Sequence, residues 1–328
     1  MTFRNCFRKL TRYANRNHQV TVLGGASELG QTISLLLRAE RKITKLVVHD
    51  TMPQALGITL DLFHIPTNTI VKGYTGEETL GKSLEKSEIV IATDGLMRKP
   101  DITNNEWSTT NANFIRTFAK ELSKIKPMPF VGIVTEPINT LVPIAAETMK
   151  KHGDFDPKKL FGITVIDEMR AQSLFAADHN LNPCTVSVPV IGGHSDETRI
   201  PLLSQAKPQS CRDNLKAQKF TSTYREIEKR IMNAKNGVSP SLSIAYSVLI
   251  FVRNIIQALD GDTTTVNAFV QNNDFGTQYF AGRVSVDYDG IKEMHTYSKL
   301  TSYECDLLEV SIEHLRRDIL KAKQMECA

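Results

Sequence analysis

Short apolar runs alternate with stretches of helical periodicity in the first half of the chain. An apolar run over residues 20–23 is followed by a glycine-rich turn over residues 24–30, and apolar residues then recur at helical spacing from Ile33 to Leu37. A strand, a tight turn and a helix are therefore predicted in that order. Further strands are predicted over residues 46–50, 89–92 and 130–134, with a helix over residues 113–122. Such alternation indicates an α/β fold with a doubly wound parallel sheet.

The pattern changes after about residue 163, where longer helices replace the alternation. The elements predicted there are strands over residues 186–191 and 279–286 and helices over residues 221–233, 241–259 and 302–323. The apolar stripe of the longest apolar helix consists of Leu242, Ala245, Leu249, Val252 and Ile256. We place a domain boundary loosely at residues 150–165.

The composition is that of an ordinary globular protein, with 41% hydrophobic and 23% charged residues in a chain of 328. No apolar stretch is long and uninterrupted enough to predict a membrane span, so no membrane partner is expected. The five cysteines form no C-x-x-C pair. Neither a zinc cluster nor a disulfide framework is therefore predicted, no metal site is expected, and a reducing compartment is indicated.

The positive charge of the chain is concentrated at its N-terminus. The net charge is +4, yet residues 1–27 hold five bases and no acid, and beyond them 35 bases face 36 acids. Residues 1–18 are rich in arginine and place Phe3, Phe7, Leu10 and Ala14 on one helical face. This profile predicts a mitochondrial transit segment and a location in the matrix, with a disordered basic tail as the alternative. The nearly neutral body argues against a nucleic-acid partner.

The glycine-rich turn carries the first functional signal. Gly24 and Gly30 flank the turn between a predicted strand and helix, with Ser27 between them, and Asp50 ends the next predicted strand. Glycines let backbone N–H groups approach a pyrophosphate, whose charge the helix dipole favours. An acid at the end of the second strand accepts ribose hydroxyls, which favours NAD over NADP. Alone the signal is weak, because glycine-rich turns after strands have many uses.

Four further stretches raise this signal to a family resemblance. They read D-L-F-H-I at residues 61–65, M-R-K-P at 97–100, T-V-I-D-E-M-R-A at 164–171 and V-P-V-I-G-G-H at 188–194. In that order and spacing they resemble NAD-dependent malate dehydrogenases, the mitochondrial type most closely. The resemblance implies a Rossmann NAD-binding domain over residues 19–163 and an α+β substrate domain over residues 164–328. It also implies a homodimer and a small dicarboxylate substrate, malate or oxaloacetate.

The resemblance assigns roles to five residues that match the family pattern. His194 and Asp167 look like the proton-transfer pair, in which a histidine takes the hydroxyl proton and an aspartate orients its ring. Arg170 resembles the clamp for the substrate 1-carboxylate, since an arginine pairs with a carboxylate through two parallel bonds. Arg98 lies on the loop expected to close over the substrate and would pair with the second carboxylate. Asn139 is a retained polar residue of the same substrate site.

The chain departs from the family pattern at several site positions. Ser27 and Glu28 replace glycines of the cofactor loop, and Asp94 replaces a small residue near the path of the cofactor. Asn104 and Glu136 replace the arginine and asparagine that contact the reacting oxygen in the family. Except at Ser27, each change makes the site more negative around two anionic ligands. The turn over residues 236–241 is also one residue shorter than in the family and contains Pro240.

These departures leave two hypotheses open. The first is an NAD-dependent malate dehydrogenase with weakened turnover, which the proton-transfer pair and both arginines favour. The second is a catalytically silent relative with a structural or partner-binding role, which the substitutions favour. The fold alone cannot decide between them.

Overall fold

The computed structural model describes residues 18–98, 102–209 and 214–327. Its strands are β1 His18–Leu23, β2 Ile43–Asp50, β3 Ile70–Thr75, β4 Ile89–Ala92, β5 Phe130–Ile133, β6 Leu160–Ile163, β7 Val190–Gly192, β8 Arg199–Pro201, β9 Thr264–Gln271, β10 Tyr279–Asp287 and β11 Gly290–Met294. Its helices are α1 Glu28–Arg38, α2 Gln54–Phe63, α3 Leu80–Leu84, α4 Asn104–Leu122, α5 Ile138–His152, α6 Val165–Asp178, α7 Asn214–Arg225, α8 Ile227–Ala234, α9 Leu242–Leu259 and α10 Ser302–Cys327.

One sheet runs through the described part of the chain, in the order β3-β2-β1-β4-β5-β6-β9-β10-β7-β8, with β11 paired to β10. The six strands from β3 to β6 are parallel, and Val20 pairs with Leu46 on one side and with Ile89 on the other. Strand β9 then pairs antiparallel with β6. This order confirms the α/β fold with a doubly wound parallel core. The order in which successive strands are added reverses between β1 and β4, while the strands remain parallel. Ligands bind such sheets at that reversal, beyond the carboxyl ends of the strands.

Helices cover both faces of the sheet with apolar side chains. One face carries α1 and α9, whose buried residues include Ile33 and Phe251, and the other carries α4, α5 and α10. By length and composition α9 could cross a membrane. In the structure it is a core helix, because Val248, Val252 and Ile255 are buried against the sheet. A smaller apolar cluster packs α6 against α7.

Three predicted elements differ from the structure in their bounds. Helix α4 begins at Asn104 rather than at residue 113, because Thr103 caps it by accepting the Glu106 N–H at 3.2 Å, although its first half is polar. The helix predicted over residues 221–233 is two helices, α7 and α8, separated at Glu226. The strand predicted over residues 186–191 is confined to β7, which begins at Val190. Pro189, just before β7, has no N–H to donate to a neighbouring strand.

Strand β9 was not predicted from the hydrophobic pattern. Five of its eight residues in succession, from Val266 to Val270, are buried. A strand covered on both faces shows no alternation of apolar and polar residues, which is the signal that identifies a half-buried strand.

The described part of the chain begins at His18, and the predicted domain start at residue 19 stays a prediction. The His18 ring is 1% exposed, with Nδ1 3.0 Å from Glu88 Oε2 and Nε2 3.0 Å from Asp260 Oδ1. Burial opposes the charged ring, but the two carboxylates prevail and raise the pKa of His18. The rest of the predicted transit segment lies outside the described residues.

Candidate active site

The glycine-rich turn lies at the carboxyl end of β1, where the strand order reverses. Gly24 has a φ of +83°, and a Cβ there would lie 2.4 Å from the Asp94 backbone. A Cβ at Gly30 would lie 2.0 Å from the Gly24 carbonyl oxygen. Only glycine therefore lets the turn close against its neighbours. The first-turn amides of α1 open directly beside it, which is the arrangement that holds a dinucleotide pyrophosphate.

Ser27 is the N-cap of α1. Its hydroxyl accepts from the Gly30 N–H at 2.9 Å and donates to the Gly24 carbonyl oxygen at 2.9 Å. The side chain is therefore held inside the turn. Glu28 follows and accepts a hydrogen bond from the Ser241 hydroxyl, with its Oε1 3.7 Å from Lys235 Nζ. Lys235, directly before the shortened turn, and Ser241 within it thus supply partners for the added acid.

Two further acids end neighbouring strands beside the turn. Asp50 is buried, and its two oxygens accept the backbone N–H groups of Ala26 at 2.8 Å and Met52 at 2.9 Å. Asp94 is half-buried, and burial together with the Asp50 charge raises its pKa. The cradle fits NAD in its type of turn, because the glycines allow the tight turn from strand to helix and Asp50 ends β2 beside it, where a ribose contact is predicted. Its charge is less favourable than its shape, since Asp94 lies close to the turn.

His194 and Asp167 form a short buried hydrogen bond at the centre of the second half. His194 follows β7, Asp167 lies in the first turn of α6, and Nδ1 lies 2.6 Å from Oδ2. Asn139 on α5 holds this loop, because its Oδ1 accepts the His194 backbone N–H at 2.8 Å. Burial alone would raise the pKa of Asp167, but His194, Arg199 and Arg170 lower it. The aspartate is therefore ionised and fixes the histidine ring.

Glu136 faces the other ring nitrogen of His194. Its Oε1 lies 3.6 Å from Nε2, the nitrogen that remains after Nδ1 has bonded Asp167. Burial alone would lower the pKa of His194, but the charge and hydrogen bond of Asp167 together with Glu136 prevail and raise it to about 9. The imidazole is therefore protonated at neutral pH. Its Nε2–H points toward a carboxylate of the chain itself.

Arg170 also meets a carboxylate of the chain. Its Nη1 lies 3.0 Å from Glu228 Oε2, at the start of α8. Arg199 stands beside this pair, with Nη1 3.7 Å from the same oxygen and 3.5 Å from Asp167 Oδ1. Arg199 is 2% exposed and also pairs with Asp196. The pKa of Glu228 is lowered, because Arg170 and Arg199 outweigh the effect of burial.

Arg98 and Asn104 lie together at the outer edge of the cleft. Arg98 Nη2 donates to Asn104 Oδ1 at 3.1 Å, and its guanidinium lies 5.3 Å from the centre of the Trp107 ring. Arg98 is exposed and is followed by residues outside the described ranges. The cleft between this edge and His194 is lined by Asp94, Arg98, Trp107, Glu136 and Glu228 among others.

The structure therefore brings His194, Asp167, Arg170, Asn139 and Glu136 together and places Arg98 with Asn104 at the mouth of the same cleft. Sequence reasoning missed Glu228 and Arg199. Glu228 lies 58 positions from Arg170 in a helix that reads as an ordinary charged surface. Arg199 follows the G-G-H stretch closely, and its position beside that stretch was the one signal present in the sequence. Within the described ranges, no group of His, Cys, Asp and Glu residues could hold a metal ion.

Comparisons with known proteins find family models and relatives that match nearly the whole chain. The family model "lactate/malate dehydrogenase, NAD binding domain" matches residues 18–162, and "lactate/malate dehydrogenase, alpha/beta C-terminal domain" matches residues 164–326. A mitochondrial malate dehydrogenase of Macaca fascicularis is 33% identical over 318 residues, covering 96% of this chain and 94% of its own length. A malate dehydrogenase of Vibrio campbellii is 36% identical over 312 residues, covering 92% and 97%.

Solved structures share the fold at lower identity. The malate dehydrogenase of Cryptosporidium parvum superposes with a TM-score of 0.79 at 21% identity, covering 94% of this chain and all of its own. The lactate dehydrogenase of Eimeria maxima, solved with NADH and oxamate, superposes with a TM-score of 0.82 at 17% identity, covering 95% and 96%.

The contact between Glu136 and His194 predicts a measurable shift. Glu136→Gln should lower the pKa of His194 from about 9 by about 1 unit, because an opposite charge near Nε2 is lost. The measurement is an NMR titration of the ring protons. The pKa of His194 in the folded protein lies above the ordinary value of 6.5. The ion pairs of the protonated ring therefore contribute fully to folding stability below pH 6.5, and this contribution is lost as the pH rises through 9.

Glu309→Gln is the matched control, because Glu309 is an exposed glutamate of α10. It should leave the His194 titration unchanged. An unchanged titration in Glu136→Gln would mean that Asp167 alone sets the pKa.

Proposed function

This chain belongs to the lactate/malate dehydrogenase family, and we propose that it interconverts (S)-malate and oxaloacetate with NAD, at a weakened rate. The observation that carries the proposal is the 2.6 Å pair of His194 and Asp167 beside Arg170. The family's NAD-binding domain accounts for the cofactor. When bound, NAD supplies the carbon that accepts a hydride from malate or returns one to oxaloacetate.

Residues of the chain would bind the cofactor and transfer the proton. The turn between Gly24 and Gly30 would hold the pyrophosphate and Asp50 the ribose. His194 would remove the hydroxyl proton of malate through Nε2 and return it to the carbonyl oxygen of oxaloacetate. Asp167 keeps the ring oriented and stabilises its charged form. Because the pKa of His194 is raised, the ring carries the needed proton at neutral pH for oxaloacetate reduction. Malate oxidation, which needs the neutral ring, should become faster toward alkaline pH.

Two substitutions weaken the chemistry proposed here. The reacting oxygen gains negative charge as the hydride arrives, and donors aimed at it lower the barrier. Glu136, when ionised, only accepts hydrogen bonds, and Asn104 is too short to replace an arginine and instead accepts from Arg98. Losing one such donor costs about 10²–10³ in rate. We therefore propose that turnover is low while the dicarboxylate preference, set by Arg98 and Arg170, is kept.

A second candidate is a silent relative that keeps the fold and a partner. The placement of Glu136 on Nε2 of His194 favours it, since a carboxylate of the chain then stands where the substrate oxygen would be. Calorimetric binding of NADH combined with an assay of oxaloacetate reduction separates the two candidates. NADH binding with slow turnover supports the weakened enzyme, and absence of turnover, with or without NADH binding, supports the silent relative.

We also propose that the protein is a homodimer. Helix α2 exposes Leu56, Leu60 and Phe63, which are 49%, 63% and 68% exposed. Their spacing of four and three residues places them on one helical stripe, and an apolar stripe left open to water favours contact with a second copy.

We propose a mitochondrial location on the acid-free, arginine-rich N-terminal segment, which lies outside the described residues apart from His18. Several similar curated proteins are mitochondrial malate dehydrogenases, and the Vibrio relative is bacterial.

Repair of the oxygen-contacting positions should restore the rate. In Asn104→Arg/Glu136→Asn, kcat for oxaloacetate reduction by NADH should rise at least about 10²-fold, the low end for one restored donor. The gain should fall mainly in kcat, because these contacts strengthen in the transition state. Steady-state kinetics of the parent and the repaired protein measure it.

Two variants control this experiment. Asn105→Arg adds the same charge one position along the exposed start of α4 and should leave kcat unchanged. His194→Asn in the repaired background should abolish the gain. A parent that already turns over as fast as an ordinary malate dehydrogenase would refute the proposed weakening.

The dimer is expected to sediment at twice the chain mass of 36.7 kDa. Leu60→Glu on the exposed stripe should shift it to the monomer, because a charge cannot be buried in an apolar interface without a partner. Leu320→Glu, at an equally open site on α10, should leave the mass unchanged. A monomeric parent would contradict the proposal.

Residues 1–17 fused to a fluorescent reporter should direct it to mitochondria. Replacing Arg4, Arg8, Arg12 and Arg16 by glutamine should leave the reporter diffuse, since import signals of this type depend on positive charge. Diffuse signal from the unaltered segment would favour the basic-tail alternative.

A further inference from the structure

Glu228 forms an ion pair with Arg170, the arginine that the proposed function assigns to the substrate carboxylate. Its Oε2 lies 3.0 Å from Arg170 Nη1 and 3.7 Å from Arg199 Nη1. The Glu228 side chain is 23% exposed and lines the cleft, whereas that of Arg170 is 6% exposed. Glu228 lies between Arg170 and the open cleft.

The other donors of Arg170 are closed off as well. Its Nε and Nη2 are buried and have no hydrogen-bond partner. An arginine holds a carboxylate best through two parallel N–H bonds from one edge of the guanidinium. Nη1 of Arg170 is therefore bonded to Glu228, and Nε and Nη2 are buried without an acceptor. Because Glu228 lies between Arg170 and the cleft, a ligand carboxylate that enters from the cleft meets Glu228 before it reaches the guanidinium.

Building on the function proposed above, we propose that Glu228 is a specificity-determining residue: an internal carboxylate that covers Arg170 and competes with the carboxylate of a 2-oxo or 2-hydroxy acid. Glu228 lies in the first turn of α8, where the helix dipole favours a negative charge. Both arginines also hold its carboxylate in the ionised form, so its release at neutral pH requires movement of the side chain rather than protonation.

Competition of this kind has a quantitative signature. If Arg170 is uncovered in roughly a tenth of the molecules, the apparent affinity for the acid falls about tenfold. The loss appears in the dissociation constant and in KM, because the contact is broken before chemistry begins. Loss of a donor to the reacting oxygen, in contrast, lowers kcat. Substitution of Glu228 is therefore expected to change KM, whereas substitution of Glu136 is expected to change kcat.

A merely structural role would look different. Glu228 could serve only to balance two buried arginines, and its removal would then lower stability without strengthening ligand binding. The two roles differ in the sign of the effect on affinity, which makes them separable in one titration.

The experiment measures the affinity of the full chain for hydroxymalonate, a dicarboxylate that NADH cannot reduce. Calorimetric titrations with and without saturating NADH compare the parent with Glu228→Gln, which keeps the shape and removes the charge. We expect hydroxymalonate to bind at least about tenfold tighter to Glu228→Gln. Glu226→Gln is the matched control, an exposed glutamate two positions away, and should change the affinity less than about twofold.

A double-mutant cycle identifies Arg170 as the contested group. In an Arg170→Gln background, Glu228→Gln should bring no gain, because no guanidinium is left to uncover. Equal gains in both backgrounds, or no gain in a folded Glu228→Gln protein, would overturn the proposal. If Glu228→Gln does not fold, Glu228→Asp decides, since it keeps the charge and withdraws the carboxylate by one methylene. Tighter binding then supports competition, and unchanged binding refutes it.

The outcome is independent of turnover. A gain in hydroxymalonate affinity with no oxaloacetate reduction in any variant would uphold the role of Glu228 and refute the proposed activity. Turnover without a gain in affinity would do the reverse.

Discussion

The buried ion pair of Asp167 and His194 is the contact on which the arrangement of the site depends. Two charges withdrawn from water are stable only when each is paired and hydrogen-bonded. Asp167 meets this condition through His194 and Arg199, and His194 meets it through Asp167 and Glu136. The pair joins the start of α6 to the end of β7, both within residues 164–328.

The charges around this pair show how the chain accommodates its additional acids. Relative to the family pattern, Glu28 and Glu136 each add a negative charge to the site, and Asn104 removes a positive one. In the structure each has a cationic neighbour, because Lys235 faces Glu28, His194 faces Glu136 and Arg98 donates to Asn104. Such pairing stabilises the protein without a ligand. It does not restore the donors that a reacting oxygen needs, and the cationic groups become less available to an anionic substrate.

Local sequence predicts part of the site well and part of it not at all. The turn at Gly24 follows from a short motif, because backbone geometry within a few residues fixes it. The pair of His194 with Asp167, 27 positions apart, was expected from the family resemblance. The fold class follows from the alternation of strands and helices in the parallel half. The start of α4 was missed because its first half is polar, and β9 because burial on both faces removes the alternation. Glu228 could not be found this way, since its partner is 58 positions distant and its helix has no distinguishing motif.

The missed residue alters the interpretation of the site. A buried cationic site built for an anion is only partly satisfied until the anion binds, and part of the binding free energy comes from completing those contacts. Here the chain completes two of them itself, with Glu136 on the histidine and Glu228 on the arginine. The unliganded state is thereby stabilised, and a substrate gains only the difference between its own contacts and those it displaces. Under the proposed function, the same two carboxylates leave the proton-transfer pair in place and compete with the expected ligand.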